Sequence, residues 1–334
     1  MILRRILLTG GTGFIGSHTA VALFEAGYDV VLFDNLSTSS RSVVERIRSV
    51  VGVRVPFIEG DILDETFLTN VLAAEKIDGV IHFAGLKSIG DSIAHPLQYF
   101  TSNVVGTVSL LNAMKASNLK TLVFSSSASI YGAPQYLPID EHHPKSVTNP
   151  YGRTKLQIED ILADLVSSEP EWRVSCLRYF NPVGAHSSGL IGEDTRGQPT
   201  NLMPNILKVA IGESSYLSIH GNDYDTLDGT GVRDYIHVMD LAEGHMSALE
   251  FLNVNTGLHM VNLGTGRGHS VLEMVEMFET VSGLSLPYKI EARREGDVGV
   301  CYADVTVARQ LFGWSASRDL TDMCSSAWKF RCKA

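Results

Sequence analysis

The sequence predicts an α/β protein built on a doubly wound parallel sheet, with a second, smaller domain laid over it. Three observations predict this. Short β-branched runs alternate with longer helical patterns through the first 180 residues, and such alternation implies right-handed βαβ units with helices on both faces of the sheet. The candidate strands are almost continuously apolar, as strands buried on both faces are. A glycine-rich turn, Gly10-Gly11-Thr12-Gly13-Phe14-Ile15-Gly16, directly follows the first strand and opens a helix.

Along the chain, strands are expected at 6–8, 30–33, 53–58, 79–83, 119–124 and 174–179, each a short apolar run. Helices are expected between most of them, at 17–26, 67–75, 104–117 and 151–167. After Tyr179 the rhythm changes. Residues 181–235 are rich in Gly, Asn, Asp and Pro, with one helix expected at 203–211. A strand and a helix return near 235–250 and 260–263, and the tail from Ser270 reads as helices and short strands. The expected division is 1–180 for a Rossmann-type first domain and 181–334 for the second, with the chain re-entering the first near 236–265.

Composition bounds the function. A chain of 334 residues with 44% hydrophobic and 19% charged residues fits a soluble globular protein. A net charge of −10 argues against a nucleic-acid or anionic-membrane surface. A small anion can still be held by a local arginine cluster. The four cysteines, Cys176, Cys301, Cys324 and Cys332, form no Cys-x-x-Cys pair and no metal-ligand spacing. No metal is expected, and a reduced, cytoplasmic setting is. The N-terminal apolar run is too short for a secretory signal, and no run approaches a membrane span.

The glycine-rich turn has a physical reading. Gly10 permits the tight turn, Gly13 lets backbone approach a pyrophosphate, and Gly16 lets helix pack on strand. The helix N-terminus then offers free N–H groups to phosphate. Asp34 ends the second strand, 18 residues after Gly16. A carboxylate there can accept from ribose hydroxyls and repel a 2′-phosphate, favouring NAD over NADP; it can also serve an Asx turn with Asn35. Asp61-Ile62 and Phe83-Ala84-Gly85-Leu86-Lys87 follow the third and fourth strands, where ligands of such sheets sit.

Tyr151 and Lys155 stand four apart at the start of a helix, after Pro150, and share one face. A tyrosine with its usual pKa of about 10 is a poor base, but a lysine cation favours the phenolate. Ser127 ends the fifth strand, within Ser125-Ser126-Ser127-Ala128-Ser129, and can bridge the phenol and a substrate hydroxyl.

Glycine turn, then Ser, then Tyr-x-x-x-Lys resembles the short-chain dehydrogenase/reductase superfamily, and the length resembles its extended branch. Further runs resemble the UDP-glucose 4-epimerase family: Phe83 to Lys87, Ser125 to Ala128, Arg178-Tyr179-Phe180-Asn181-Pro182, Asn201-Leu202-Met203-Pro204, Gly221-Asn222-Asp223-Tyr224, Asp228 to Val238, and Arg293-Arg294-Glu295-Gly296-Asp297. The resemblance spans residues 7 to about 305. It implies bound NAD, a UDP-sugar substrate, a homodimer, and Ser127, Tyr151 and Lys155 as the catalytic set. The cofactor groove it implies also takes in Phe14, Ile15, Leu36, Ser37, Thr38, Ser39, Asn103 and Phe180. The implied substrate contacts are Lys87, Asn181, Asn201, Leu202, Ser218, His220, Arg233, Tyr235, Arg294, Asp297 and Cys301.

The chain departs from that family at three places. Ser102-Asn103 stands where Asn-Asn is usual, His220 where an aromatic often stacks, and Cys301 where many bacterial members carry tyrosine. The implied reaction is inversion at C4 of a UDP-sugar, and the small Cys301 implies room for N-acetylated sugars. A 4,6-dehydratase needs an Asp-Glu pair just beyond the serine, where this chain has Ala128-Ser129. A non-catalytic NAD sensor would need none of the three catalytic residues. His82 and His237 are expected to be hydrogen-bonded core residues, and His142-His143 to lie in a solvated loop. The helix from 104 carries an apolar stripe, Val104, Val105, Val108, Leu110, Leu111 and Met114, fit to cover the sheet or meet a partner.

Overall fold

Ile6 and Leu8 of β1 (Arg5–Thr9) pack on one side of the central sheet and Leu7 on the other, and all three are fully buried. Burial on both faces is why such a strand reads as an unbroken apolar run. The computed structural model describes residues 3–194, 199–294 and 296–333. Glu295 of the Arg293–Asp297 run, and residues 195–198 of the glycine-rich stretch, lie outside the described residues.

The remaining strands are β2 (Asp29–Asp34), β3 (Phe57–Glu59), β4 (Gly79–His82), β5 (Thr121–Ser127), β6 (Arg173–Tyr179), β7 (Asn181–Val183), β8 (Leu217–His220), β9 (Val232–Arg233), β10 (Tyr235–His237), β11 (Gly257–Leu263), β12 (His269–Ser270), β13 (Tyr288–Glu291) and β14 (Val300–Cys301). Seven form one sheet in the order β11-β6-β5-β4-β1-β2-β3, every pairing parallel. The order reverses between β1 and β4, which leaves a crevice at the carboxyl ends of the strands.

The helices are α1 (Phe14–Glu25), α2 (Ser42–Val51), α3 (Glu65–Ala74), α4 (Ile89–Ala94), α5 (Pro96–Tyr99), α6 (Gly106–Ala116), α7 (Pro150–Ser168), α8 (Leu202–Ala210), α9 (Val238–Leu252), α10 (Val271–Ser282), α11 (Thr306–Phe312) and α12 (Leu320–Lys333). One face of the sheet packs Leu23 of α1, Ile47 of α2 and Leu249 of α9. The other packs Leu68 of α3, Leu110 and Met114 of α6, and Ile158 and Leu162 of α7. A third core joins α8, α10 and α12 through Ile206, Phe278 and Met323. None of the helices among the described residues is long and apolar enough to cross a membrane.

Three elements differ from expectation. The helix α2 went unforeseen; it buries only Val44 and Ile47, a thin apolar signal. Residues 53–56 stay outside β3: Gly52 closes α2 at φ +72, and Pro56 has no N–H for a ladder. Ahead of α6 the chain takes a π-helical turn, Phe100–Val105. This splits the apolar stripe, with Leu110 and Met114 buried under the sheet while Val105 is 53% exposed.

Candidate active site

The crevice opens into a cleft of about 2160 Å³, beyond the roughly 300–1,000 Å³ of a site for one drug-sized ligand. It has room for a dinucleotide and a nucleotide sugar end to end. Of the site residues expected from sequence, all but Leu36, Asn103 and Cys301 line it.

At one end lies the turn between β1 and α1. Gly10 has φ +69, and a Cβ there would come within 2.7 Å of the Ala84 nitrogen. A Cβ at Gly16 would overlap the Gly10 carbonyl oxygen. Only glycine allows both close approaches. The N-terminus of α1 carries no side-chain cap and no acidic residue in its first turn, so its N–H groups are left for a phosphate. These features fit a dinucleotide.

Of the two uses that the sequence left open for Asp34, the structure shows the turn and leaves the other sterically open. Its carboxylate accepts from the Leu36 N–H at 2.8 Å, which is the Asx turn, from the Thr12 N–H at 3.1 Å and from Ser39 Oγ at 3.1 Å. It remains on the cleft wall, with one of its roughly four acceptor positions, on Oδ2, left open. Leu36 contributes backbone shape instead of a wall: it sits at φ +58 in this turn. Asp61 receives the Asn35 amide at 2.8 Å, joining the ends of β2 and β3.

Asn103 stands off the cleft wall. Its side-chain oxygen accepts from the Leu86 N–H at 2.8 Å, and its amide donates to the Leu86 carbonyl and to Thr154 Oγ1, each at 3.0 Å. Both donors are spent and the residue is buried. It holds the Phe83–Lys87 loop to α7 and acts through that loop.

The chemistry-bearing residues meet where β5 ends and α7 begins. Asn149 caps α7, accepting the Gly152 N–H at 2.8 Å, and Pro150 starts its first turn. This fixes Tyr151 at the mouth of the helix. Lys155 Nζ lies 5.9 Å from the Tyr151 ring centre and donates to the Ser125 carbonyl at 2.6 Å. Because β5 runs on to Ser127, that carbonyl is strand backbone and a rigid tether. Burial holds the Tyr151 phenol above its usual range, opposed by a hydrogen bond with Ser127. Burial pushes Lys155 down to about 8. The Ser127 hydroxyl is 3.1 Å from both the N–H and the hydroxyl of Ser129.

The other end of the cleft is built by the second half of the chain. Arg233 is steadied by the Val232 carbonyl at 2.9 Å, and Arg294 by Asp297 at 3.1 Å. His220 Nδ1 faces the Ala292 carbonyl at 3.3 Å, and Ser218 Oγ donates to Glu291 at 2.6 Å. Glu193, which sequence patterns did not suggest, accepts from Lys87 at 3.2 Å and from Asn201 at 3.0 Å, tying two expected substrate contacts together. Cys301 lies behind the wall, against the cluster of Ile130, Tyr131, Ile139, Phe180 and Ala303. Burial pushes its thiol up to about 11, so it offers volume and not a nucleophile.

The histidines divide. His82 bridges Thr9 at 2.6 Å and Thr107 at 3.0 Å, and burial holds it neutral. His237 caps α9, accepting the Met239 N–H at 3.0 Å. His143 corrects the expectation of a solvated loop: it is buried, accepting the Gln135 N–H at 3.0 Å, while His142 is exposed.

Comparison with known proteins agrees with this geometry. A family model described as GDP-mannose 4,6 dehydratase matches residues 7–327. The UDP-glucose 4-epimerase of Bacillus subtilis is 52% identical over 326 residues, 98% of this chain and 96% of that protein. The structure of UDP-glucose-4-epimerase from Stenotrophomonas maltophila, with bound NAD and formylated UDP-arabinopyranose, is similar at a TM-score of 0.97 and 47% identity, covering 99% of this chain and 98% of that one. The Bifidobacterium longum enzyme, in complex with NAD+ and UDP, is similar at a TM-score of 0.95 and 47% identity, covering 98% of each chain.

Proposed function

The chain belongs to the UDP-glucose 4-epimerase family, and from that premise we propose how its cleft interconverts UDP-glucose and UDP-galactose: Tyr151, helped by Lys155 and Ser127, moves the proton of the sugar's 4-hydroxyl. The observation that carries this is the convergence of these three residues beside the glycine-rich turn, facing a second wall of anion-binding side chains. The glycine-rich turn would hold NAD, which when bound would supply the acceptor and donor of hydride for C4. Tyr151 takes the hydroxyl proton as C4 is oxidised, and general-base help of this kind contributes about 10²–10⁴ in rate. Lys155, tethered to Ser125, favours the phenolate. Arg233 and Arg294 hold the diphosphate while the 4-keto sugar turns its other face, and Asn181 and Asn201 satisfy neighbouring oxygens.

Ala128 and Ser129 supply no acid–base pair for dehydration, so the matched family name describes relationship and not this reaction. A coupled assay that supplies UDP-galactose and detects UDP-glucose tests the assignment. A 4-keto-6-deoxy product, or no turnover, would reject it.

NAD is expected to co-purify, because a cofactor reduced and reoxidised within one cycle gains nothing by leaving. Absorbance and mass analysis of the small molecules released on denaturation check this. Recovery of NADP instead would remove the role given to Asp34.

The supported assembly is a homodimer. Leu97 of α5 is 80% exposed, and Ile93, Val105 and Val108 lie open on neighbouring turns, an apolar stripe of the kind that marks an interface. Val108→Asp together with Leu97→Glu should yield monomer by light scattering with the fold retained. An unchanged mass would place the contact elsewhere. A cytoplasmic setting and a division into an NAD-binding 1–180 and a UDP-sugar-binding 181–334 complete the proposal.

A further inference from the structure

Tyr151, Lys155 and Glu159 recur at intervals of four along α7 and share one face of the helix. The first two meet the cleft, while Glu159 is wholly buried beneath it. Its carboxylate accepts from Ser126 Oγ at 2.6 Å. It also accepts a fork from Arg178, Nε at 2.9 Å and Nη2 at 2.8 Å, with Lys145 Nζ 3.6 Å away. Arg178 is 1% exposed and also donates to the Tyr131 hydroxyl at 2.9 Å and the Glu141 carbonyl at 3.0 Å.

Ser126, Arg178 and Asn262 stand in register across β5, β6 and β11, and Asn262 accepts from Tyr131 at 2.6 Å. A polar row therefore crosses three strands under the catalytic helix, one residue before Ser127. In the rows beside it the β6 and β11 positions are mostly apolar and buried, as at Leu177, Val261 and Leu263, with Ser125 and Ser127 as their β5 members. Stability does not explain the exception, since apolar residues of equal volume often match or better a buried ion pair.

We propose that Glu159 is a positioning residue for the reaction: through Ser126 it fixes where Ser127 stands against Tyr151, and through its charge it lets two buried cations, Arg178 and Lys155, coexist beneath one cleft. The inference rests on the roles given above to Tyr151, Lys155 and Ser127.

The groups facing Lys155 are few. Cys176 lies on β6, Glu159 and Tyr151 on its own helix and His82 on β4; Arg178 and Lys145 face Glu159 itself, and Tyr179 faces Tyr151 and Cys176. Burial keeps Cys176 and Tyr179 protonated and His82 neutral, so Glu159 is the anion of this set. Without the Glu159 charge, Lys155 loses a carboxylate that favours its cation, and Arg178, beside the same Cys176, is left without its counter-ion. Lys155 then gives up its proton at lower pH, and the Tyr151 phenolate loses its cation.

The test uses the NAD-loaded protein. In Glu159→Gln, kcat should fall about tenfold or more with KM for UDP-galactose unchanged. The alkaline limb of the kcat profile should move about one pH unit toward acid, the scale of one opposite charge. Glu159→Gln with Arg178→Gln removes both charges and should return the limb to its wild-type place. Ser126→Ala keeps both charges and should lower kcat without moving the limb.

Titration of Tyr151 by ultraviolet difference absorbance, against Tyr151→Phe, repeats the comparison without turnover. A protein inactive on UDP-galactose therefore overturns the assigned reaction while the titration still judges Glu159. A limb and a tyrosine titration that stay put in Glu159→Gln overturn the proposal, as does a double variant shifted as far as the single. If Glu159→Gln does not fold, wild-type kcat in Ser126→Ala overturns it.

Discussion

In Tyr151→Phe, kcat is expected to fall by about 10²–10⁴-fold while UDP binds as it does to the wild type. The substitution removes one oxygen and keeps the ring that Lys155 approaches at 5.9 Å. The residues proposed to hold the nucleotide do not change, because Arg233 and Arg294 are steadied by Val232 and Asp297 within the second half of the chain. The loss should therefore fall in kcat and leave KM nearly alone, the mark of an interaction made in the transition state. Ser127 cannot take over as the base, since an aliphatic hydroxyl is weak at its free pKa and is not ionised at neutral pH. Turnover above about a tenth of wild type, smaller than general-base help usually contributes, would remove Tyr151 as the base; calorimetry with UDP checks the binding half.

The second large effect is expected in Cys301→Tyr, which should lose UDP-N-acetylglucosamine and UDP-N-acetylgalactosamine as substrates and keep UDP-glucose and UDP-galactose. Cys301 pairs in register with Arg233 on the cleft wall and backs onto Ile130, Tyr131 and Ile139, all fully buried. A phenol ring cannot enter that packed cluster without a penalty of about 1–3 kcal/mol, so it would swing into the cleft. There it would take the space that an acetamido group sweeps as the keto sugar turns. A penalty of that size slows the larger pair by about tenfold or more. The measurement is kcat/KM for both sugar pairs in wild type and variant. Wild-type indifference to the N-acetylated pair would end the open-pocket argument.

What sequence could show depended on how local each feature is. The turn from Gly10 to Gly16, its strand and its helix are contiguous, so their order alone carried the dinucleotide site. Tyr151, Lys155 and Ser127 were legible because helix period and strand end fix their faces. That Asn103 and Cys301 stand off the cleft wall was not legible, because whether a polar or small residue faces a cleft or lies behind its wall depends on partners distant in sequence: Leu86 and Thr154 for one, the Ile130 cluster for the other. Glu193 and Glu159 left no periodic trace, since a lone carboxylate is defined by the side chains that fold onto it. His143 was misjudged for the same reason, its burial being made by Tyr131 and Tyr136.

The strand β11 reaches the sheet from far along the chain, pairing over its whole length with β6. Synthesis therefore delivers the seven-stranded sheet in two instalments. Until residue 263 has emerged, β6 is an open edge with its backbone donors and acceptors unpaired, a template for wrong pairing. Until α9 arrives, Ala22 of α1 lies bare, since Met239 and Ala242 of α9 cover it. The sheet is thus completed only after residues 181–256 have been made. A nascent chain halted before β11 would be a client for chaperones, not a cofactor carrier.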